Sequence, residues 1–201
     1  MIKLFYTVIS LVVFTQGVHG QVSEFLFDEI ENKPTEVKLL PESMIFTQSI
    51  LWGEKGLMRK TNLFPLSIEN REREMKIRRG MLTAHQLIGY ATLLGMIGQG
   101  ITGVQLYKGN DRFEDLHESI GAFTTASYFT GAGLSLFAPP PLFSVKSKGL
   151  NSIKSHRWLA TVHFSAMIAT NLLSESNKSY HRAASFTLFG SYALAILSFK
   201  F

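Results

Sequence analysis

Four histidines, His85, His117, His156 and His181, each stand at the beginning of an apolar stretch of the chain. The stretches cover Thr83–Tyr107, Leu116–Ala138, His156–Leu173 and Tyr180–Phe199. Each approaches the length of about 20 mainly apolar residues with which a helix crosses a bilayer. A polar ring in hydrocarbon is costly unless it has a partner, so four in register indicate a shared function. Haem iron accepts two axial imidazoles, and ligation by two histidines favours electron transfer.

The order of the four stretches predicts how the histidines pair. Antiparallel neighbours alternate in direction, so the first and third histidines lie near one membrane face, and the second and fourth lie near the other. His85 is therefore expected to meet His156, and His117 to meet His181. A helix rises about 1.5 Å per residue, which separates the pairs across a core about 30 Å thick. The sequence predicts an all-α membrane protein, an antiparallel bundle of four transmembrane helices with two haem sites.

Three further residues are candidates for the same chemistry. Arg157 and Arg182 directly follow two of the histidines. A cation at that depth can pair with a haem propionate or reach lipid phosphate. His163 lies seven residues after His156, on roughly the same helix face and about 10 Å deeper. It could replace His156 as a ligand, assist proton movement, line a quinone pocket or serve as a hydrogen-bonded packing residue.

The composition of the chain limits the kinds of metal and haem site that it can form. The chain has 201 residues, a net charge of +5 and no cysteine. Without cysteine there is no disulfide, thiolate zinc site, iron–sulfur cluster or covalently attached haem, so any haem is held by coordination alone. The basic residues lie beside the apolar stretches, which favours lipid headgroups or haem propionates over nucleic acid as their partners.

The first 20 residues resemble a signal peptide. Lys3 precedes an apolar run, Leu4–Phe14, and small residues stand before Gln21. An uncleaved anchor is the alternative, although the run is shorter than the roughly 17–25 residues that a span needs. A cleaved signal predicts that residues 21–80 are exported and that residues 81–201 form the membrane domain.

Residues 21–80 show no sign of a separate core, and we expect an exported or interfacial segment. Trp52 and Phe64 would suit the headgroup level, unless the segment is a lid packed on the helices. The charged run Ile68–Arg79 is typical of a solvated helix face, and Gly80 is expected to separate it from the first span.

The helix openings resemble the cytochrome b561 and ferric-reductase-like membrane family. The residues that carry this resemblance are AHQLIGYATLLGMIGQGITG (84–103), LHESIGAFTTASYFTGAG (116–133), SHRWLATVHFSAMIATNLL (155–173) and YHRAASFTLFGSYALAIL (180–197). The resemblance implies a four-helix core with two non-covalent b-type haems, one held by His85 and His156 and the other by His117 and His181. It also implies electron transfer from donors such as ascorbate or quinol to acceptors such as ferric chelates.

The chain departs from the family in two ways. Many members have six spans, whereas here the four-helix core follows a predicted signal peptide. No flavin or nicotinamide motif is recognisable, so the electron donor and acceptor stay open, as does the question whether the protein is itself an oxidoreductase. One alternative is a quinol-oxidising, haem-bearing anchor of a partner redox enzyme. The other is a structural or transport membrane protein without haem.

The expected location is the bacterial inner membrane, in multi-pass form, with residues 21–80 in the periplasm. A homodimer is compatible with the sequence. This orientation puts the cations of Arg71–Arg79 outside, against the usual enrichment of positive charge in cytoplasmic loops. Haem propionates or an anionic substrate at the outer face would pair with those cations and so account for their position.

Overall fold

The computed structural model describes residues 38–143 and 152–198, and within these ranges the chain forms helices and turns with no strand. The prediction of an all-α protein is confirmed. The elements are α1 (Phe46–Trp52), α2 (Leu57–Lys60), α3 (Ile68–Tyr107), a 3-10 turn (Asp111–Phe113), α4 (Glu114–Leu136), α5 (Ser152–Leu173) and α6 (Lys178–Leu197). The predicted signal peptide and residues 21–37 lie outside the described residues.

Helix α3 is one continuous helix of 40 residues. It begins after Ser67, whose side-chain oxygen accepts a hydrogen bond from the backbone N–H of Asn70 at 3.2 Å. The expected separation at Gly80 is wrong, because the helix runs through that residue. A glycine in a helix interior costs only about 1 kcal/mol, which the helix-favouring residues around it outweigh.

The four long helices form two hairpins. Within each hairpin, α3 with α4 and α5 with α6, the backbones lie close along their length, whereas close approaches between hairpins are few. Glu114 and Asp115 occupy the first turn of α4, where negative charge favours the helix dipole. Asn177 caps α6, and its side-chain oxygen accepts from the N–H groups of Ser179 and Tyr180 at 3.1 and 3.0 Å. The caps fix where each hairpin turns.

The core lies between the two hairpins and receives side chains from all four long helices. It consists of Met96, Tyr128, Ala166, Met167, Leu188 and Tyr192. Within the α3–α4 hairpin the backbones approach so closely at Gly95 that a Cβ there would overlap the Thr124 hydroxyl. The hairpins are thus tight internally and are joined through side chains at mid-length.

One helix in the described part of the chain, α3, has a window both long and apolar enough to cross a membrane, with a mean hydropathy of 1.4. The described lengths of α4, α5 and α6 are 23, 22 and 20 residues. At about 1.5 Å per residue each of them reaches roughly 30 Å. Their hydropathy is lower because serine, threonine and histidine residues are interspersed with the apolar ones.

The charged run at the beginning of α3 is only partly solvated. Arg71 is 2% exposed and Glu74 is fully buried, and the Glu74 carboxylate accepts from both Arg71 and Arg59. Arg71 also donates to the carbonyl oxygens of Pro140 and Pro141 at 3.0 and 3.2 Å. The expectation of a solvated face is wrong for these positions, since they clamp the end of α4. Prolines lack an N–H and stop the helix, which leaves their carbonyls as acceptors.

Arg78 completes this clamp by donating to the carbonyl oxygen of Pro139 at 2.7 Å. Burial, and secondly the neighbouring charge of Arg71, lower the pKa of Arg78 from its ordinary value. Further out on the same helix, Glu69 and Arg73 form an ion pair at 2.6 Å whose side chains are both mainly exposed. That outer pair has the solvated character predicted for the whole run.

Helix α1 packs against the same end of α4. The indole N–H of Trp52 donates to the carbonyl oxygen of Phe137 at 2.9 Å, and its ring packs edge-on against Phe64 at 5.5 Å. Thr47 donates to the carbonyl oxygen of Leu136 at 2.6 Å. Trp52 is 5% exposed, so at this residue the segment is a lid on the helices and not a headgroup anchor.

Candidate functional site: two histidine pairs

The structure brings the four helix-opening histidines together as two pairs. The ring centres of His85 and His156 are 6.3 Å apart, with the ring planes at 88°. The ring centres of His117 and His181 are 6.4 Å apart, with the planes at 72°. Each pair joins one histidine from the α3–α4 hairpin to one from the α5–α6 hairpin. The pairs therefore lie at the interface of the hairpins.

In the first pair, main-chain carbonyls anchor both rings. His85 Nδ1 lies 2.8 Å from the carbonyl oxygen of Gly131, and His156 Nδ1 lies 3.2 Å from that of Ala195. A carbonyl oxygen only accepts hydrogen bonds, so each Nδ1 carries the proton and donates. The neutral ring then has its lone pair on Nε2, the nitrogen that can bind a metal.

The second pair is anchored in the same way. His181 Nδ1 donates to the carbonyl oxygen of Thr170 at 2.8 Å, and His117 Nδ1 lies 2.8 Å from the hydroxyl oxygen of Thr102. The Thr102 hydroxyl donates to the carbonyl oxygen of Gly98 at 3.0 Å, so it is placed to accept from His117. Gly103 makes room for that ring, because a Cβ there would lie 3.2 Å from His117 Cε1.

Each anchor comes from the other helix of the same hairpin. His85 and His117 are held across α3 and α4, while His156 and His181 are held across α5 and α6. Metal-binding histidines characteristically donate their second ring N–H to a carbonyl, carboxylate or similar acceptor, which fixes both tautomer and orientation. Each hairpin thus sets the orientation of its two rings by itself, and the pairs form where the hairpins meet.

The two pairs lie at opposite ends of the core. His117 precedes Gly131, His156 precedes Thr170, and His181 precedes Ala195, each by 14 residues, which corresponds to about 21 Å along a helix. Along α3 the distance from His85 to Thr102 is 17 residues, or about 25 Å. Every member of the core cluster lies between these two levels. Two equivalent sites are therefore held apart by packed side chains.

The spacing of the rings suits one metal ion per pair. An imidazole nitrogen lies about 2 Å from a bound ion and about 1.2 Å from its own ring centre, so rings on opposite sides of an ion have centres about 6.4 Å apart. The observed distances of 6.3 and 6.4 Å fit this arrangement. Within residues 38–143 and 152–198, no group of three or more His, Cys, Asp or Glu side chains could hold a metal ion. Haem iron is one centre that takes two imidazole nitrogens from a protein.

His163 belongs to the core and stands apart from the two pairs. Its Nδ1 is 2.6 Å from the hydroxyl oxygen of Tyr128, and its ring centre lies 5.0 Å from that of Tyr192. Tyr192 in turn donates to the carbonyl oxygen of Gly89 at 3.1 Å. These contacts join all four long helices, which makes His163 a hydrogen-bonded packing residue in the described structure.

The two arginines next to the histidines are both exposed. Arg157 shares a shallow surface groove of about 320 Å³ with Lys154, Trp158 and Thr161. Arg182 stacks on the ring of Tyr107, with its guanidinium carbon 4.3 Å from the ring centre. Arg182 is thus held at the end of the hairpin where its histidine lies, and a stacked guanidinium keeps its in-plane N–H groups available for an anion.

The anchors of the rings are what sequence reasoning missed. Three of the four are main-chain carbonyls, which every residue possesses and which carry no signature of residue type. Thr102 is the one side-chain anchor, and its distance of 15 residues from His117 offered no local pattern to detect.

We compared the chain with protein-family models, with curated proteins and with solved structures, and none of the three comparisons found a match.

Proposed function

We propose that this protein is a bis-histidine dihaem b-type cytochrome of the cytochrome b561 type, which transfers electrons across a membrane. The observation that supports it best is that four histidines on four helices form two pairs whose ring spacing and Nδ1 anchors suit axial ligation. His85 and His156 hold one haem b, and His117 and His181 hold the other.

The distribution of polar and apolar side chains supports a membrane location for all four long helices. Polar residues such as Thr92, Thr102, Thr124, His163 and Ser191 are buried in the bundle. The outer surface carries bulky apolar side chains on every long helix, among them Leu94, Ile101, Phe123, Phe129, Trp158, Leu172, Phe186 and Leu194. An apolar exterior around a polar interior suits hydrocarbon as the solvent, because buried polar groups are satisfied inside the bundle.

In this proposal the protein positions the cofactors and makes or breaks no bonds. A haem held by two imidazoles exchanges single electrons between the ferric and ferrous states. The residues of the chain fix the tautomer of each ligand, which leaves the lone pair on Nε2, and pack apolar side chains between the two sites. The separation of about 21–25 Å supports this proposal, because it is close to the thickness of a hydrocarbon core of about 30 Å.

The same proposal includes the two exposed arginines, Arg157 and Arg182. Arg157 follows His156 and Arg182 follows His181, so each site has a guanidinium one residue from a ligand. We assign them to haem propionates, for which planar, bidentate donors are suited. The inner-membrane location, the periplasmic position of residues 21–80, the homodimer and the identity of donor and acceptor remain predictions, with ascorbate, quinol and ferric chelates as the classes to test.

Polar side chains in the bundle that could bind a quinone are already engaged with other groups of the protein. Gln99 donates to the carbonyl oxygen of His117, and Asn171 accepts from Thr125 at 3.1 Å and donates to the carbonyl oxygen of Met167 at 2.9 Å. With His163 in the core as well, the described contacts favour the simple electron-transfer function over a quinol-oxidising anchor.

Ligand variants test the proposal, with haem counted per purified chain. His85→Ala and His117→Ala are each expected to retain one haem, because they remove different axial ligands. His163→Gln is the matched control, since it replaces the fifth histidine of the bundle and keeps a polar partner for Tyr128; it should retain two. Retention of two haems in either ligand variant would contradict the assignment. Loss of one haem in the control would make His163 a ligand.

A further inference from the structure

Helix α1, helix α2 and the turn after α2 expose large apolar side chains, which we name the apolar collar. Its members are Phe46, Ile50, Leu57 and Leu63. Phe46 is 78% exposed and Ile50 is 50% exposed, and they lie four residues apart on one face of α1. Four bulky apolar groups exposed within 18 residues indicate a surface that is covered in the working state.

The opposite face of α1 is fixed to the bundle, so the collar has a defined orientation. Gln48 and Trp52 are buried on that face. Thr47 donates to the carbonyl oxygen of Leu136, the last residue of α4, and Trp52 donates to that of Phe137, the next residue. Helix α2, which follows α1, is held in turn by the buried ion pairs of Glu74 with Arg59 and Arg71. The collar therefore faces away from the bundle, and this arrangement is built into the fold.

The level of α1 along the bundle places the collar just outside the hydrocarbon. The carbonyls that hold α1 lie five and six residues beyond Gly131, the anchor of the His85 site, or about 8 Å further along the axis. If the two sites are centred in the bilayer, each lies about 10–13 Å from its middle, so α1 lies about 18–21 Å from it. Hydrocarbon ends at about 15 Å from the middle and headgroups at about 20–23 Å.

We propose that the apolar collar lies in the headgroup layer of the membrane that holds the bundle, with its side chains reaching the upper acyl chains. The occupant is lipid, since α1 lies at the level where headgroups begin and α4, against whose end it packs, exposes Phe129 and Leu136. The groove beside Phe46 and Ile50, of about 470 Å³, is bordered by Glu54 and Lys55, a mixed rim that suits an interface between water and lipid. This inference rests on the membrane bundle of the proposed function.

The absence of cysteine from the chain makes a direct test possible. Phe46→Cys and Ile50→Cys are labelled with a nitroxide in the full-length protein, which is reconstituted into phosphatidylcholine–phosphatidylglycerol vesicles. The relative access of dissolved oxygen and of a water-soluble nickel chelate is measured by power-saturation EPR. Glu54→Cys is the matched aqueous control on the same segment, and Leu94→Cys, on the exposed face of α3, is the lipid reference.

We expect the ratio of oxygen to chelate access at positions 46 and 50 to exceed that at position 54 several-fold and to approach that at position 94. Chelate access at positions 46 and 50 equal to that at 54, with position 94 lipid-exposed, would overturn the collar and leave the bundle standing. Water access at position 94 would overturn the bundle itself. Shielding of positions 46 and 50 from both reagents would mean a protein partner or a second copy, and would also overturn the lipid assignment.

Discussion

Thr102→Val isolates the one ring anchor that is a side chain. The Thr102 hydroxyl accepts from His117 Nδ1 at 2.8 Å, and valine keeps the shape of the side chain while removing that acceptor. The other three anchors are main-chain carbonyls, which substitution does not remove. The variant therefore tests the anchor without deleting a proposed ligand.

The expected effect is large enough to measure. Loss of an outer-shell partner of a metal-binding histidine typically weakens metal affinity about 10–100-fold, which corresponds to about 1.4–2.7 kcal/mol. Leaving a buried N–H without an acceptor costs about 1–3 kcal/mol, a range that agrees with the first. The His85 site is about 21 Å away, too far for direct coupling, so its affinity should stay unchanged.

Haem titration of the apo-protein in detergent, followed by Soret absorbance, gives both affinities. Thr124→Val is the matched control, because Thr124 is 4% exposed against 3% for Thr102 and donates to a carbonyl of its own helix at 2.7 Å without contacting a histidine. Thr102→Val should weaken one of two binding steps, and Thr124→Val neither. Equal behaviour of the two variants, or equal weakening of both steps, would refute the proposed role of the Nδ1 anchors.

Three stability predictions follow, each measured by thermal unfolding in detergent. Glu74→Gln leaves two buried arginines without a carboxylate and should cost about 3–5 kcal/mol; Glu69→Gln, in the exposed pair, should cost less than about 0.5 kcal/mol. Gly95→Ala should cost about 1–3 kcal/mol by forcing α3 and α4 apart, whereas Gly100→Ala, with open space around it, should stabilise by up to about 1 kcal/mol because alanine favours the helix. Tyr128→Phe should cost about 0.6–1.7 kcal/mol and leave the haem content at two, in line with a packing role for its histidine partner. Equal shifts for either matched pair, or a lost haem, would contradict the reasoning.

The helices and the proximity of the histidines could be predicted because both depend on local pattern and connection length. Apolar stretches opened by a histidine predicted four helices, of which α4 and α6 begin two residues and α5 four residues before the predicted stretch. Helix α3 ends at Tyr107 as predicted but begins fifteen residues earlier, because it includes the charged run. Short connections force antiparallel neighbours within each hairpin, and alternation of direction through all four helices then brings the first histidine near the third and the second near the fourth. No longer-range information was needed for that step.

The charged clamp could not be predicted, because it depends on contacts distant in sequence. Arg71 and Arg78 look like members of a solvated run until the three consecutive prolines some 60 residues later offer them carbonyl oxygens. Gly80 was expected to interrupt α3, but a single glycine is a weak signal in a helix with favourable residues on both sides. Trp52 likewise has the amphipathic character of a headgroup residue, and only the position of the α4 terminus decides that it is buried.

The most direct test of the proposed function is the haem content of the detergent-purified, full-length protein, measured as pyridine haemochrome together with an oxidised-minus-reduced spectrum. Two b-type haems per chain, both low-spin, are the result that His85 with His156 and His117 with His181 predict. A protein expressed with ample haem that binds none, or that binds haem only in a high-spin form, would contradict bis-histidine ligation at both sites.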